Sequence, residues 1–269
     1  MLTISKWIQE LPKRGTYTFT LEEAVAQFPC FSRERIHQEL SRQIVKRLIQ
    51  SAWRGFYAVI LHEYGLEGIV PPSEYIDQLM EYLGKRYYVA LLSAARMHGS
   101  SHQSPQSYMI MIEGGSLRSS VKGGTQMVFF TRKRFPPKYI EQAASRSGTI
   151  SYSSKELTAL DLVAKMDSVG GINRVAEVIE GLAEENLDFN NVCVDYFMLG
   201  PTAHIQRLGY ILDEKLDCHE EAESLYRGAI EAGLKFKKTL LVPEQGKSGG
   251  KFPIQQKWEI IVNRHVEVG

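Results

Sequence analysis

The sequence predicts an α+β (mixed α/β) protein, with an N-terminal winged helix-turn-helix over residues 1–65 and a larger mixed α/β domain over residues 66–269. Three observations predict this organisation: capped helices and a hairpin come first, strand-like runs and amphipathic helices follow, and charge is uneven. Residues 1–60 hold nine Lys/Arg and five acidic residues, whereas residues 150–230 hold six Lys/Arg and fifteen acidic residues. Charge separated in this way suggests that one part faces a polyanion.

The first helices are marked by their caps. Thr20, with Glu23 three residues later, predicts a capping box, and Ser32 is a good N-cap for a second helix after the break at Pro29. Along that second helix, apolar residues recur every four positions and predict a buried stripe, at Ile36, Leu40, Ile44 and Leu48. The apolar segments "LIQSAW" and "FYAVI" then predict a hairpin that turns at Arg54-Gly55.

The opposite face of the second helix is predicted to bind DNA. In a winged helix-turn-helix this helix enters the major groove, where long basic and amide side chains reach phosphates and base edges. The DNA-binding candidates are Arg33, Arg35, Gln38, Arg42, Lys46 and, at the hairpin tip, Arg54. Arg47 lies nearer the apolar face and is the weaker candidate. The competing interpretation is an ordinary solvated helix face.

The rest of the chain predicts alternating helices and strands. The Pro71-Pro72 pair precedes a helix that runs to about Leu83, and "RYYVALLSAARMHG" reads as a largely buried helix closed by Gly99. Strands are predicted at "QSYMIMIEG", "TQMVFFTRK" and "GTISYSS", and Ser153 with Glu156 predicts a capping box before "ELTALDLVAKM". Later helices are predicted at about 172–186, "AHIQRLGYILDE" and "HEEAESLYRGAIEAG", and short strands at "TLLV" and "WEIIV".

The stretch "LSAARMHGSSHQSPQ" has the composition of an active site. Its candidate residues are Ser93, His98, Ser100, Ser101 and His102. A Ser/His nucleophilic site needs a third orienting group, and neither G-x-S-x-G nor H-E-x-x-H occurs here. We interpret the stretch as close helix packing and a turn, the alternative being a polar pocket without chemistry. No catalytic residue, metal ligand or cofactor is predicted.

A second basic segment lies in the larger domain. Gly114 to Ile140 contains no acidic residue and six basic ones: Arg118, Lys122, Arg132, Lys133, Arg134 and Lys138. A solvated loop is the default interpretation. The alternative is a surface that faces a polyanion or serves toxin neutralisation.

In order along the chain, "RGFY", "EYGLEGIVPPSEYIDQLM", "YYVALLSAARMHGSSHQSPQ", "SSKELTALDLV" and "QRLGYILDE" resemble the abortive-infection AbiEi antitoxins of bacterial toxin–antitoxin systems. The resemblance covers roughly residues 50 to 215. It implies a non-enzymatic protein with an N-terminal winged helix that represses its own operon. It also implies neutralisation of a nucleotidyltransferase-like toxin, with or without direct contact.

Two functions from different classes remain. The first is an antitoxin that binds an inverted repeat in its own double-stranded promoter DNA, with two copies paired on the half-sites. The alternative is an ordinary winged-helix transcriptional regulator whose larger domain binds a ligand; a nucleic-acid-processing enzyme is disfavoured. The absence of an apolar run long enough for a membrane span, together with three scattered cysteines, Cys30, Cys193 and Cys218, predicts a cytoplasmic location without membrane association.

Overall fold

A computed structural model describes residues 2–100, 107–122, 125–243 and 252–267, with only the backbone of Lys122. The chain divides into two compact units. Unit 1 comprises Met1–Tyr88, Gln106–Lys133 and Gln142–Ser151, and unit 2 comprises Val89–Pro105, Arg134–Glu141 and Tyr152–Gly269. Helices and several sheets confirm the mixed α+β class. The domain boundary at residue 65 stays a prediction.

Unit 1 begins with three helices and a three-stranded sheet. The elements are α1 (Ile4–Glu10), β1 (Thr18–Thr20), α2 (Leu21–Gln27), α3 (Arg33–Val45), β2 (Ile49–Trp53) and β3 (Phe56–Val59). The strand order is β1-β3-β2, and both pairings are antiparallel. The three helices and the sheet share one core, in which Trp7 packs edge-on against Phe19 and Phe28. Burial of these aromatic rings against one sheet face stabilises the segment.

The predicted caps of α2 and α3 are present. The Thr20 hydroxyl accepts a hydrogen bond from the Glu23 amide at 3.1 Å, and the Glu23 carboxylate accepts one from the Thr20 amide at 2.6 Å. The Ser32 hydroxyl accepts from the Arg35 amide at 3.3 Å. Each cap satisfies backbone donors that lack a partner within the helix. The polar residues before each apolar run therefore define where α2 and α3 begin.

The predicted apolar stripe of α3 is only partly correct. Ile36 and Leu40 are fully buried, but the next buried position is Gln43, and Ile44 is 36% exposed. A strict four-residue spacing drifts around a helix of 3.6 residues per turn, so the core-facing position moves back to Gln43. Arg47 then adopts a left-handed φ of 54°, and the Leu48 amide donates to the Gln43 carbonyl as the helix ends.

A six-stranded sheet follows, and most of its residues belong to unit 1. After α4 (Ile76–Tyr82), its strands are β4 (Tyr87–Val89), β5 (Ser107–Glu113), β6 (Ser120–Lys122), β7 (Thr125–Arg132), β8 (Ile140–Ser145) and β9 (Gly148–Ser153). The order is β6-β7-β5-β4-β9-β8. β5 pairs with β7 in parallel, and β6 with β7 antiparallel. The strands predicted at β5, β7 and β9 are confirmed.

One predicted helix in this region is wrong over its first half. Tyr87–Val89 forms a strand, and the helix begins only at Leu91. A fully buried apolar run fits both a strand and a buried helix, so periodicity could not separate them. The predicted cap at Ser153 is also displaced by one residue. Ser154 is the N-cap and accepts from the Leu157 amide, whereas the Ser153 hydroxyl bonds to Thr158.

Unit 2 is mainly helical. Its helices are α5 (Leu91–Met97), α6 (Lys155–Ala164), α7 (Ile172–Glu184), α8 (Val194–Phe197), α9 (Thr202–Glu214) and α10 (His219–Glu231). Three short strands form a separate sheet in the order β10-β12-β11, at β10 (Thr239–Leu240), β11 (Ile254–Gln255) and β12 (Ile260–Ile261). Helices α6 and α9 are buried along most of their length, so they form the centre of this unit. Within the described ranges, every helix is too short or too polar to cross a membrane.

Candidate nucleic-acid interface

One face of α3 carries most of the predicted DNA-binding side chains. Arg35, Gln38, Arg42 and Lys46 are all exposed, and Ile36 and Leu40 are buried in the core of unit 1. Spacings of three and four residues keep side chains on one side of a helix. The core therefore holds α3 rigidly while its polar side chains face solvent.

Ion pairs engage two of the predicted arginines. Arg33, the first residue of α3, donates from Nη2 to the Glu22 carboxylate of α2 at 2.6 Å, and this bond lowers the pKa of Glu22 below its ordinary value. Arg42 forms an ion pair with Glu39 one turn earlier. A phosphate would have to compete with a carboxylate for either guanidinium. Arg33 therefore links α2 to α3 and offers less free positive charge than its position suggests.

Arg35 is oriented by an aromatic ring. Its guanidinium carbon lies 4.2 Å from the centroid of Phe31, and that ring stacks on Phe28 with an interplanar angle of 10°. A guanidinium above a ring face is attracted to it and keeps its N–H groups free at the edge. Arg35 is thus directed to solvent at the start of α3 with its donors available.

The β2–β3 hairpin places Arg54 at its tip. Arg54 is exposed, and Gly55 beside it has a φ of 76°, a left-handed conformation that favours glycine in a tight turn. The Gly55 carbonyl accepts a hydrogen bond from the Leu21 amide at 2.8 Å, and the Arg54 carbonyl accepts one from the Tyr82 hydroxyl at 3.3 Å. Two backbone contacts therefore anchor the turn, while the Arg54 side chain is exposed.

The exposed face of α3 also carries an apolar residue, Val45, which is not among the predicted DNA-binding residues. Val45 is 84% exposed and follows Gln38 by about two helical turns, so both side chains point the same way. Ser41 is exposed between them. A β-branched apolar side chain gains nothing from such exposure to water. The signal was present in the sequence, since Val45 lies outside the four-residue apolar spacing.

The second basic segment is divided between the two units. Arg118, Lys122, Arg132 and Lys133 belong to unit 1, and Arg134 and Lys138 belong to unit 2. Lys133 is exposed where β7 ends. Lys138 pairs with Asp195 at 3.0 Å, which raises the pKa of Lys138, and Arg134 donates to the Met198 carbonyl at 3.4 Å. The six residues are therefore not one continuous element.

The stretch with the composition of an active site forms the C-terminal end of α5. Gly99 has a φ of 84°, its amide donates to the Arg96 carbonyl, and the Ser100 amide donates to the Ala95 carbonyl. These two bonds form a Schellman motif, so the prediction that Gly99 closes the helix is confirmed. A β-carbon on Gly181 of α7 would lie 2.6 Å from the Ser100 carbonyl oxygen, which demonstrates the close packing.

His98 completes this helix end. Its Nε2 lies 2.8 Å from the Ser153 carbonyl oxygen, which requires Nε2 to carry the proton, and its ring packs against Tyr152. Ser93 is buried in α5. Ser101 and His102 lie outside the described residues. Among the described residues, no three His, Cys, Asp or Glu side chains are grouped so that they could hold a metal ion.

Comparisons with known proteins agree with the resemblance found in the sequence. Residues 88–214 match the family described as AbiEi antitoxin C-terminal domain. The fold is similar to the crystal structure of the RV2827C protein from Mycobacterium tuberculosis, with a TM-score of 0.66 and 13% identity over 95% of this chain and 89% of that one. A search of curated proteins found no match.

Proposed function

We propose that this protein is a DNA-binding antitoxin that represses its own promoter, because residues 88–214 match the family described as AbiEi antitoxin C-terminal domain. The partner in this proposal is a toxin with nucleotidyltransferase-like features. Residues 1–60 supply the repressor function and unit 2 contributes to neutralisation. In this proposal, no part of the chain is catalytic.

The observation that carries the DNA-binding half is the element order α1-β1-α2-α3-β2-β3 around one core, with the sheet order β1-β3-β2. This order supports a winged helix-turn-helix, in which α3 would be the recognition helix and the β2–β3 hairpin would be the wing. Arg35, Gln38, Arg42 and Lys46 then face the major groove, and Arg54 at the wing tip faces the flanking backbone.

The role proposed for each of these residues follows from its surroundings. Lys46 and Arg54 form no ion pair within the described residues, so they suit phosphate contacts that supply affinity. Gln38 offers an amide that can bond an adenine edge in two places, and Val45 offers methyl groups that match a thymine methyl. Arg42 must break its ion pair with Glu39 before it can contact DNA. The freed carboxylate of Glu39 then disfavours non-specific contact with DNA.

One winged helix covers few base pairs, so the proposed operator is an inverted repeat bound by two copies. Paired half-sites follow from the two-fold symmetry of such a complex. The pairing needs no stable dimer in the free protein.

The full-length protein should bind its own promoter fragment more tightly than a shuffled fragment of equal length and composition, measured by fluorescence anisotropy at two salt concentrations. Co-expression with the neighbouring gene product should restore growth that this product alone arrests. Equal affinity for both fragments would contradict the proposed repressor function. Growth arrest that persists on co-expression would contradict the proposed antitoxin function toward that partner.

A further inference from the structure

Unit 2 contains a basic cavity at the start of α9. It has a volume of about 570 Å³, and its polar lining comes from Thr202 and Gln206 of α9 and from Lys235, Lys237, Lys238 and Thr239. This volume lies in the range of small-molecule sites, roughly 300–1,000 Å³. The cavity is remote in sequence from α3.

The described residues place no acidic side chain against the positive charge of this cavity. No Asp or Glu lines it, and none of its three lysines forms an ion pair within the part of the chain that the structure describes. Lys257, elsewhere in unit 2, pairs with both Asp213 and Glu223. Lys235, Lys237 and Lys238 are exposed and line one concave surface, where like charges repel one another and a bound anion would relieve the repulsion.

The start of α9 adds to the positive potential. Pro201 is the N-cap and provides no side-chain acceptor, and the first turn contains no acidic residue. The helix is 13 residues long, so the partial positive charge at its N-terminus is fully developed. Because neither the N-cap nor the first turn supplies a neutralising side chain, the helix dipole and the lysines attract the same kind of ligand.

The lysine-bearing segment is held in place. Gln206, which is 2% exposed, donates from Nε2 to the Lys237 carbonyl at 2.8 Å and to the Trp258 carbonyl at 2.7 Å. Arg207 donates from Nε to the Leu240 carbonyl at 3.0 Å. The backbone that carries Lys237 and Lys238 is therefore fixed against α9. Such preorganisation lowers the entropic cost of binding a ligand.

We propose that this cavity binds phosphate groups, carried by a nucleoside triphosphate or by a nucleic-acid strand. Several compact ammonium charges and a helix N-terminus suit a multiply charged phosphate chain better than a single carboxylate. Arg134 lies at the edge, since it donates to the carbonyl of Met198, another lining residue. It extends the positive surface beyond the cavity, as a longer phosphate chain requires.

The test replaces Lys235, Lys237 and Lys238 together by Gln in the full chain. A matched control makes the changes Arg96→Gln, Lys215→Gln and Arg264→Gln, which remove the same charge from unit 2 outside the cavity. The probes are ATP and GTP, measured by calorimetry, and a labelled 20-nucleotide RNA and a duplex DNA without promoter sequence, measured by anisotropy. Circular dichroism and thermal unfolding confirm that both variants are folded.

We expect the lysine variant to lose affinity on the order of tenfold or more for at least one probe, while the control keeps the affinity of the unchanged protein. Loss for ATP or GTP alone identifies a nucleotide site, and loss for RNA or DNA identifies a strand-binding site. Equal affinities of the two variants for every probe would overturn the proposal, as would a failure of the unchanged protein to bind any probe. Neither result depends on promoter binding by α3.

Discussion

Gly209 lies directly against the ring of Trp258. A β-carbon at Gly209 would come within 2.2 Å of that ring, and Trp258 is fully buried. Gln206 and Asp213 on the same helix also bind Trp258, through its carbonyl and its indole N–H respectively. The motif "QRLGYILDE" thus anchors the C-terminal segment of the chain on α9.

Replacing Gly209 with Ala should destabilise the protein by about 1–3 kcal/mol or more, because overpacking a filled core forces neighbours to move. The free energy of unfolding in urea measures this change. A double variant that adds Trp258→Leu tests the contact itself. Its loss should be smaller than the sum of the two single losses, since the shorter side chain leaves room for the β-carbon. Strictly additive losses would disprove the steric explanation.

The double variant Arg42→Ala with Lys46→Ala should weaken promoter binding, by roughly 1–3 kcal/mol for each residue that makes a good base contact. A residue that contacts phosphate alone would instead weaken binding to all DNA and reduce its salt dependence. Lys6→Ala in α1 together with Lys13→Ala just after it is the charge-matched control and should retain affinity. Unchanged promoter affinity in the α3 variant would contradict the assigned face.

Val45→Ser should alter selectivity at one base pair. If the side chain contacts a thymine methyl group, replacing that thymine by deoxyuridine should cost the unchanged protein about 0.8 kcal/mol, the value of one buried methyl-sized group. The Val45→Ser variant should not distinguish the two bases there. A scan of single deoxyuridine substitutions through the operator, read by anisotropy, locates the position. If no substitution affects the unchanged protein, Val45 reads no thymine.

His98→Ala should lower stability by about 0.5–1.5 kcal/mol through loss of its hydrogen bond to the Ser153 carbonyl. It should preserve both promoter binding and growth rescue. Thermal unfolding and the two functional assays check this expectation. A folded His98→Ala protein that loses a measurable turnover would instead indicate catalysis at this helix end.

Asp213 should make stability depend on acid pH. Burial raises the pKa of this carboxyl group, but bonds from Lys257, Trp258 and His219 outweigh burial and hold the pKa below its ordinary 3.8. A group with a lowered folded pKa stabilises the protein above its unfolded pKa, and this contribution is lost as pH falls through the folded value. Stability should therefore decline below about pH 4.

Asp213→Asn should reduce this acid dependence and should cost about 1–3 kcal/mol near neutral pH, because three donors lose a charged acceptor. Asp217→Asn is the matched control, because the Asp217 side chain is 92% exposed. Its carboxylate contacts His219 weakly, at 4.0 Å from Nε2. Urea unfolding at a series of pH values measures both variants. An Asp213→Asn protein with the same pH profile as the unchanged chain would refute the prediction.

The sequence by itself determined the features that depend on neighbours along the chain. The capping box at Thr20 and the cap at Ser32 are local hydrogen bonds, so the residues predict them directly. The strands β5, β7 and β9 also followed from local composition and turn residues. The family resemblance followed from motif order, and the match over residues 88–214 confirms it.

Only the tertiary structure decided what depends on distant partners. Whether Tyr87–Val89 forms a strand is settled by its place in the sheet, because a buried apolar run suits either state. The glycine at position 209 acquires its role from a tryptophan 49 residues later, and the lysines after α10 form a cavity only because Gln206 and Arg207 hold their segment. Packing between segments far apart in sequence leaves no periodic signal that a single sequence can reveal.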